Sequence, residues 1–198
     1  MFLYCQAHGR SAFLFPLRLE RVNSESNPNA SQDINPKPLP IPDEDAAVIW
    51  VAPRGIGPTA WNQSSKKQVQ IRRRFYLLGQ TLDGMRVYDV RRAIQAIRLI
   101  PEFNESELRI RARGPMAGIS LYASLFEPEI AGLHLTDLES SHRHGPYLLN
   151  VRRIFDLPQA LAMAAERTPI VLESANSKDW SYATEIGRRI GGEIEFRP

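Results

Sequence analysis

One cysteine, Cys5, among 198 residues excludes an internal disulfide framework and leaves the redox compartment open. Long apolar runs are missing as well. None approaches the roughly 20 residues that a membrane-spanning helix needs, so no membrane partner is expected. The first residues, MFLYCQAHGRSAFLFPLRLERV, have apolar patches broken by Gln6, His8, Gly9 and Arg10. They lack a basic segment ahead of an apolar stretch, so no signal peptide is read and the cytoplasm is the default compartment. A formal charge of +3 is too small to argue by itself for a nucleic-acid or membrane partner. What is present, 43% hydrophobic residues at a mean hydropathy of −0.31, suits an ordinary globular domain that buries a substantial core.

Proline marks the organisation. Residues 23–45, NSESNPNASQDINPKPLPIPDED, hold five prolines among Asn, Ser and Asp with few large apolar side chains, and read as a linker. Residues 1–45 are therefore expected to form an N-terminal extension, and residues 46–198 the packed domain. Alternating Phe13, Phe15, Leu17 and Leu19 suggest a strand or hairpin within 2–22 that is added at a sheet edge.

From Ala46 onward strand and helix patterns alternate. Strands are expected over 46–52, 107–113, 130–136, 169–173 and 193–196, and helices over 84–100, 115–126, 157–167 and 179–190. Val90, Ala93, Ile94 and Ile97 form one helical stripe, Pro115 suits a first helical turn, and Gly191-Gly192 suits a helix stop. Repeated units of this length imply an α/β fold with a mostly parallel, doubly wound sheet.

The stretch from Glu107 to Phe126, ELRIRARGPMAGISLYASLF, reads as strand, sharp turn and helix. At such a junction the motif G-x-S-x-G holds a nucleophilic serine on a strained turn, with the next backbone N–H aimed at the oxyanion. Laying Gly114 and Gly118 on its two glycines puts Met116 where the serine would stand. A thioether has no proton to give up, and an apolar side chain filling the head of the helix accounts for it.

Three segments extend the pattern: Ala46 to Trp61 (AAVIWVAPRGIGPTAW), Arg72 to Pro101, and Leu121 to Val151. In order and spacing the chain from Ala46 to Pro198 resembles the acetyl-xylan-esterase and dienelactone-hydrolase-like branch of the α/β-hydrolase superfamily. There an Arg-Gly loop follows a central strand, and a long helix like the one carrying Tyr88, Arg92 and Ala93 leads to the elbow strand. The resemblance implies an α/β-hydrolase-type sheet and a triad in the chain order Ser, acid, His. The acid would follow strand 169–173, where Glu173 and Asp179 stand. Asp179, just before Trp180, also reads as a helix N-cap. The histidine would follow strand 193–196, and the sequence given ends at Pro198 with none, as a shortened domain would.

Other constellations compete. His134, Ser141, His142 and His144 lie close in sequence, but the i, i+2 spacing of His142 and His144 and the absence of HExxH argue against a metal, and none is expected. Pairing of Ser140 or Ser141 with His142 would make a relocated hydrolytic site, although sequence neighbours seldom face each other. G-x-G-x-x-A over 55–60 follows a strand, yet Pro58 and the lack of an acid before Asp83 count against a dinucleotide, so no cofactor is expected. A tight turn with Arg54 paired to an acid accounts for it. Lys66, Lys67, Arg72, Arg73 and Arg74 beside Phe75 and Tyr76 read as a solvated basic face, with nucleic acid the lesser reading. Asp83, Arg86, Asp89, Arg91 and Arg92 suggest ion pairs along the long helix, Asp89 to Arg92 among them. Arg109, Arg111 and Arg113 on a central strand imply a sheet face that is uncovered or salt-bridged.

Three functions follow as expectations. The first is an acetyl-esterase-like domain that has lost turnover, with a protein partner or a larger hydrolase assembly as its context. The second is an ester hydrolase built on Ser141, His142 and Asp179 or on a partner-supplied group. The third is a nucleotide or nucleic-acid binding module.

Overall fold

The computed structural model describes residues 2–6, 46–61, 64–174 and 176–197. Its strands are β1 (Phe2–Gln6), β2 (Ala46–Trp50), β3 (Glu107–Arg113), β4 (Ile130–Thr136), β5 (Ile170–Glu173) and β6 (Ile194–Arg197). Its helices are α1 (Ser65–Leu77), α2 (Leu82–Arg98), α3 (Pro115–Ser124), α4 (Leu157–Ala165) and α5 (Ser181–Ile190). The sheet order is β2-β1-β3-β4-β5-β6. Pairs β3–β4, β4–β5 and β5–β6 are parallel, whereas β1 is antiparallel to both β2 and β3. All five strands from Ala46 onward therefore share one direction, and the fold is the expected α/β arrangement of a mostly parallel sheet with flanking helices.

Two expectations need correction. The N-terminal strand does not sit at the sheet edge: Phe2–Gln6 pairs with β2 on one side and β3 on the other. The linker over 23–45 and the alternating Phe13 to Leu19 lie outside the described residues. The basic run at 66–74, read as a solvated face and assigned to no helix, is helical in α1. That helix buries none of its residues; only Gln68, Ile71 and Phe75 turn partly inward, so no apolar stripe marks it in the sequence.

Alternation along the strands sorts the sheet into two faces. Leu108, Ile110 and Ala112 of β3 are buried, and they align through the register with Leu133 and Leu135 of β4 and with Ile170 and Leu172 of β5. Against them pack Val90, Ile94 and Ile97 of α2, nearly all of α3, Leu157 and Leu161 of α4, and Trp180 and Ala183 at the start of α5. The opposite face carries Arg109, Arg111, Arg113, His134, Thr136, Glu173, Glu195 and Arg197. It is wet and cross-paired, with Arg109 on Glu107 (3.0 Å), Arg113 on Asp137 (2.6 Å) and Arg197 on Glu195 (2.8 Å). The arginines of β3 thus fall on the charged side of a half-buried strand.

Helix ends follow local chemistry. Thr81 caps α2 by accepting from the Gly84 N–H (2.9 Å), and Pro115 starts α3 where its missing N–H costs no bond. Gly191 at φ 75° ends α5, donating its N–H to the Gly187 carbonyl.

Candidate functional site

Strand β3 lies inside the sheet, and at its carboxyl end the chain turns sharply into α3. The residue that makes this turn is Gly114, at φ 57° and ψ −131°. Only glycine adopts that backbone without strain, because a Cβ there meets the flanking peptide groups. Strands β2 and β3 run the same way, so Gly55 and Gly57 lie at the same end of the sheet as Gly114.

Met116 does not stand at the turn. It is the second residue of α3, 7% exposed and packed into the core beside Ala117 and Ile119. The Ala117 N–H, expected to face an oxyanion, donates instead to the Gly114 carbonyl oxygen at 2.9 Å. Gly118 has a different reason to be glycine. A Cβ built on it would lie 2.6 Å from Cδ of Pro146, so the loop after β4 sits directly on α3.

That loop carries the histidine cluster. His142, 4% exposed, has both ring nitrogens engaged: Nδ1 is 2.7 Å from the Pro146 carbonyl oxygen and Nε2 is 2.7 Å from the Tyr122 hydroxyl. A carbonyl can only accept, which puts the ring proton on Nδ1 and leaves Nε2 to accept from Tyr122. Burial, followed by the nearby Asp156 carboxylate, pushes the Tyr122 hydroxyl well above its ordinary value, so it stays protonated as the donor.

Ser141 points away from this ring. Its Oγ donates to Asp156 Oδ2 at 2.7 Å, while Asp156 Oδ1 accepts from the N–H of His142 (2.7 Å) and from that of Leu157 (2.9 Å). Burial tends to raise the Asp156 pKa, but these three donors outweigh it and hold the carboxyl below its usual range. The trio Ser141, His142 and Asp156 has the composition of a triad and a different wiring, because the acid grips the backbone of the histidine and the hydroxyl of the serine.

Asp179 is also re-assigned. Asn176, not Asp179, caps the 3-10 turn Ser177–Trp180 by accepting from the Lys178 N–H at 3.3 Å. Asp179 lies inside that turn, exposed, with the Ser140 hydroxyl donating to it at 3.3 Å. The structure thus places Ser140 next to Asp179 and Ser141 next to Asp156, but brings neither serine onto an imidazole. His144 lies at the surface, 3.6 Å from Glu139.

His134 faces the charged side of the sheet, with Nε2 at 2.7 Å from Glu173 Oε1. Burial, reinforced by Arg111, lowers its pKa against the opposing pull of Glu173. Burial tends to raise Glu173, but the Thr136 hydroxyl (2.8 Å) and His134 outweigh it and hold this carboxyl low. Among the described residues no three side chains of His, Cys, Asp or Glu gather as a metal-ligand set.

At 53–60 no long helix opens after the glycines. Gly57–Thr59 is a single 3-10 turn, and the N–H groups of Gly55 and Ile56 donate inside the loop to Thr59 and Pro53. Arg54 reaches Asp89 of α2 through Nε (2.7 Å), Nη2 (2.5 Å) and its backbone N–H (3.0 Å), the acid pairing expected of it. Asp89 is therefore not the partner of Arg92. Along α2 the observed pairs are Asp83 with Arg86, and Arg91 with the nearly buried Glu127; Arg92 bonds Gln95.

No protein-family model and no curated protein matches the sequence. A crystal structure of a Bacteroides fragilis protein assigned as an acetyl xylan esterase superposes with a TM-score of 0.58 at 13% identity. The two chains share a fold. The match covers 76% of this chain and 46% of that structure, so the chain spans less than half the length of the hydrolase-like protein it matches. Within this fold, the loop after β4 and the turn at Gly114 form the neighbourhood that sequence reasoning singled out. Tyr122 and Asp156 are its unforeseen members. Among the described residues no helix is long and apolar enough to cross a membrane.

Proposed function

We propose that this chain is an acetyl-esterase-like domain without hydrolytic turnover of its own, serving as a binding or interaction unit. The observation that carries the reading is the pair Gly114-Pro115 at the strand-to-helix turn. A nucleophile elbow needs a side chain on the strained residue and an N–H on the next one. Gly114 has no side chain, and Pro115 has no N–H. The turn thus keeps the backbone shape of an elbow and lacks both reactive parts. Support also comes from the surrounding groups. Ser141 is committed to Asp156, Ser140 to Asp179, and both nitrogens of His142 to Tyr122 and Pro146, so neither of these serines meets a free imidazole among the described residues. Loss of a nucleophile or its base removes nearly all triad acceleration, on the order of 10⁶-fold where it has been dissected.

The test is full-length protein with short-chain acyl nitrophenyl esters and acetylated xylan, against a boiled control. No turnover above the control is expected, and neither Gly114→Ser nor Met116→Ser should create it, since a serine without a general base stays protonated at neutral pH. Turnover in the unmodified protein that disappears in Ser141→Ala, His142→Ala or Asp179→Ala would overturn the proposal.

A further inference from the structure

Beside the loop after β4 lies an open cleft of about 280 Å³, close to the small end of ligand pockets, roughly 300 Å³. Its walls come from two segments distant in sequence. Tyr76 contributes from the end of α1, Tyr147 and Leu149 from the loop, and Arg152 and Arg153 from the 3-10 turn Val151–Arg153, with His142 at the base. The volume fits one ring system with a small head group, not the track of a polymer.

The charge is one-sided. Among the described residues no carboxylate lines the cleft; Asp83, which accepts from the Tyr147 N–H at 2.8 Å, is already paired with Arg86. The nearest to Arg152 is Asp156, whose Oδ2 is 3.9 Å from Nε, too long for a hydrogen bond, and Asp156 already accepts from three donors. The Arg153 guanidinium makes no hydrogen bond to any described residue. A third guanidinium, that of Arg72, lies 5.7 Å over the Tyr147 ring, which adds positive charge to the same wall. His142 has no free ring nitrogen, so it offers a flat floor and not a base. Asn150 supplies the one amide at the lining. A neutral saccharide, which needs several acceptors for its hydroxyls, finds little here, whereas an anion finds two forked donors.

We propose that this cleft binds a small organic anion with a flat apolar body: the anionic head between Arg152 and Arg153, the ring against Tyr76 and Tyr147. Carboxylate and phosphate heads share this chemistry. The site requires no turnover and goes beyond the reading of a silent hydrolase-like domain.

Calorimetric titration of the full chain with 1-naphthyl phosphate, 1-naphthoate, 1-naphthol and inorganic phosphate tests it. At least one naphthyl anion is expected to bind tenfold or more tightly than both 1-naphthol and inorganic phosphate, and the ranking of phosphate against carboxylate identifies the head. The double variant Arg152→Ala, Arg153→Ala should weaken that anion about tenfold or more, with circular dichroism and thermal midpoint unchanged because both side chains are exposed. Tyr147→Leu should weaken the naphthyl anion and leave any inorganic phosphate binding unchanged. Lys66→Ala, Lys67→Ala should change neither. Equal affinity for 1-naphthol, indifference to the arginine pair, or no binding of either naphthyl anion would overturn the proposal. So would tighter binding of a 12-nucleotide oligothymidylate that Lys66→Ala, Lys67→Ala weakens as much as the arginine pair does, which would make the surface a nucleic-acid face.

Discussion

Replacing Asp156 by alanine removes three interactions at once, and their sum can be estimated. As the N-cap of α4, Asp156 accepts from the Leu157 N–H and completes a capping box with Gln159, a feature worth about 1 kcal/mol, within 0.5–2. Its bond to the N–H of nearly buried His142 matters more, because alanine leaves that donor without an acceptor at about 1–3 kcal/mol. Ser141 is half-buried and can turn to water, so its loss adds little. The expected cost is about 2–4 kcal/mol, or roughly 4–16 °C in the thermal midpoint of a domain this size. Urea unfolding followed by the fluorescence of buried Trp180 measures it. Asp156→Asn keeps one oxygen for the cap and for His142, and should cost under about 1 kcal/mol. The sign with pH is also fixed. The folded carboxyl titrates below its unfolded value of about 3.9, so its contribution is complete above about pH 4 and disappears as pH falls through the lower folded value. The gap between wild type and Asp156→Ala should narrow on that acid limb. A cost below about 0.5 kcal/mol, or equal losses in the alanine and asparagine variants, would refute the reasoning.

Three further outcomes are expected. Gly114→Ala should destabilise by about 1–3 kcal/mol through its backbone alone, since nothing beyond its own chain neighbours lies within 4 Å of the added Cβ. Gly118→Ala should cost a comparable amount through collision with Pro146 at 2.6 Å and should disturb the Tyr122–His142 pair, visible in histidine NMR shifts; neutral effects at either position would contradict the geometry. For His134, whose folded pKa is depressed, the unfolded chain binds the proton more readily. Stability should therefore fall as pH drops through about 6.5, and His134→Gln should flatten that slope between pH 7.5 and 5.5; a variant that keeps the slope would exclude this imidazole as its source.

Much of this was legible in the chain. Strands β3 and β4 coincide with their expected limits because ELRIRAR alternates strictly, and the uncovered charged face was already implied by its three arginines. The register of the turn was also within reach. A proline at the first helical position makes the preceding glycine the cap, so Pro115 pointed to Gly114, whereas matching the G-x-x-x-G spacing pointed to Met116. The sequence Asp156-Leu-Pro-Gln159 is a capping-box pattern that would have found the acid beneath Ser141 and His142. Tyr122 had no such signal, since within an apolar helix it reads as core and only the returning loop brings an imidazole to its hydroxyl. Helix α1 escaped because inward Ile71 and Phe75 are outnumbered by basic residues, and its helical period is therefore faint.

The place of β1 in the sheet sets an order of events. It precedes the other described strands in the chain, and its neighbours are β2 and β3, with Phe2 opposite Trp50 and Arg111. On the ribosome this segment can meet β2 early, but β3 only after more than half of the chain has emerged, while β3, α3 and β4 can assemble from contacts close in sequence. Closing the long separation is slow in proportion to its entropy cost, and an unpaired β3 edge waits exposed meanwhile. The strand that bridges the sheet thus completes its second pairing only once β3 is in place, and until it docks the open β3 edge is where aggregation competes with completion.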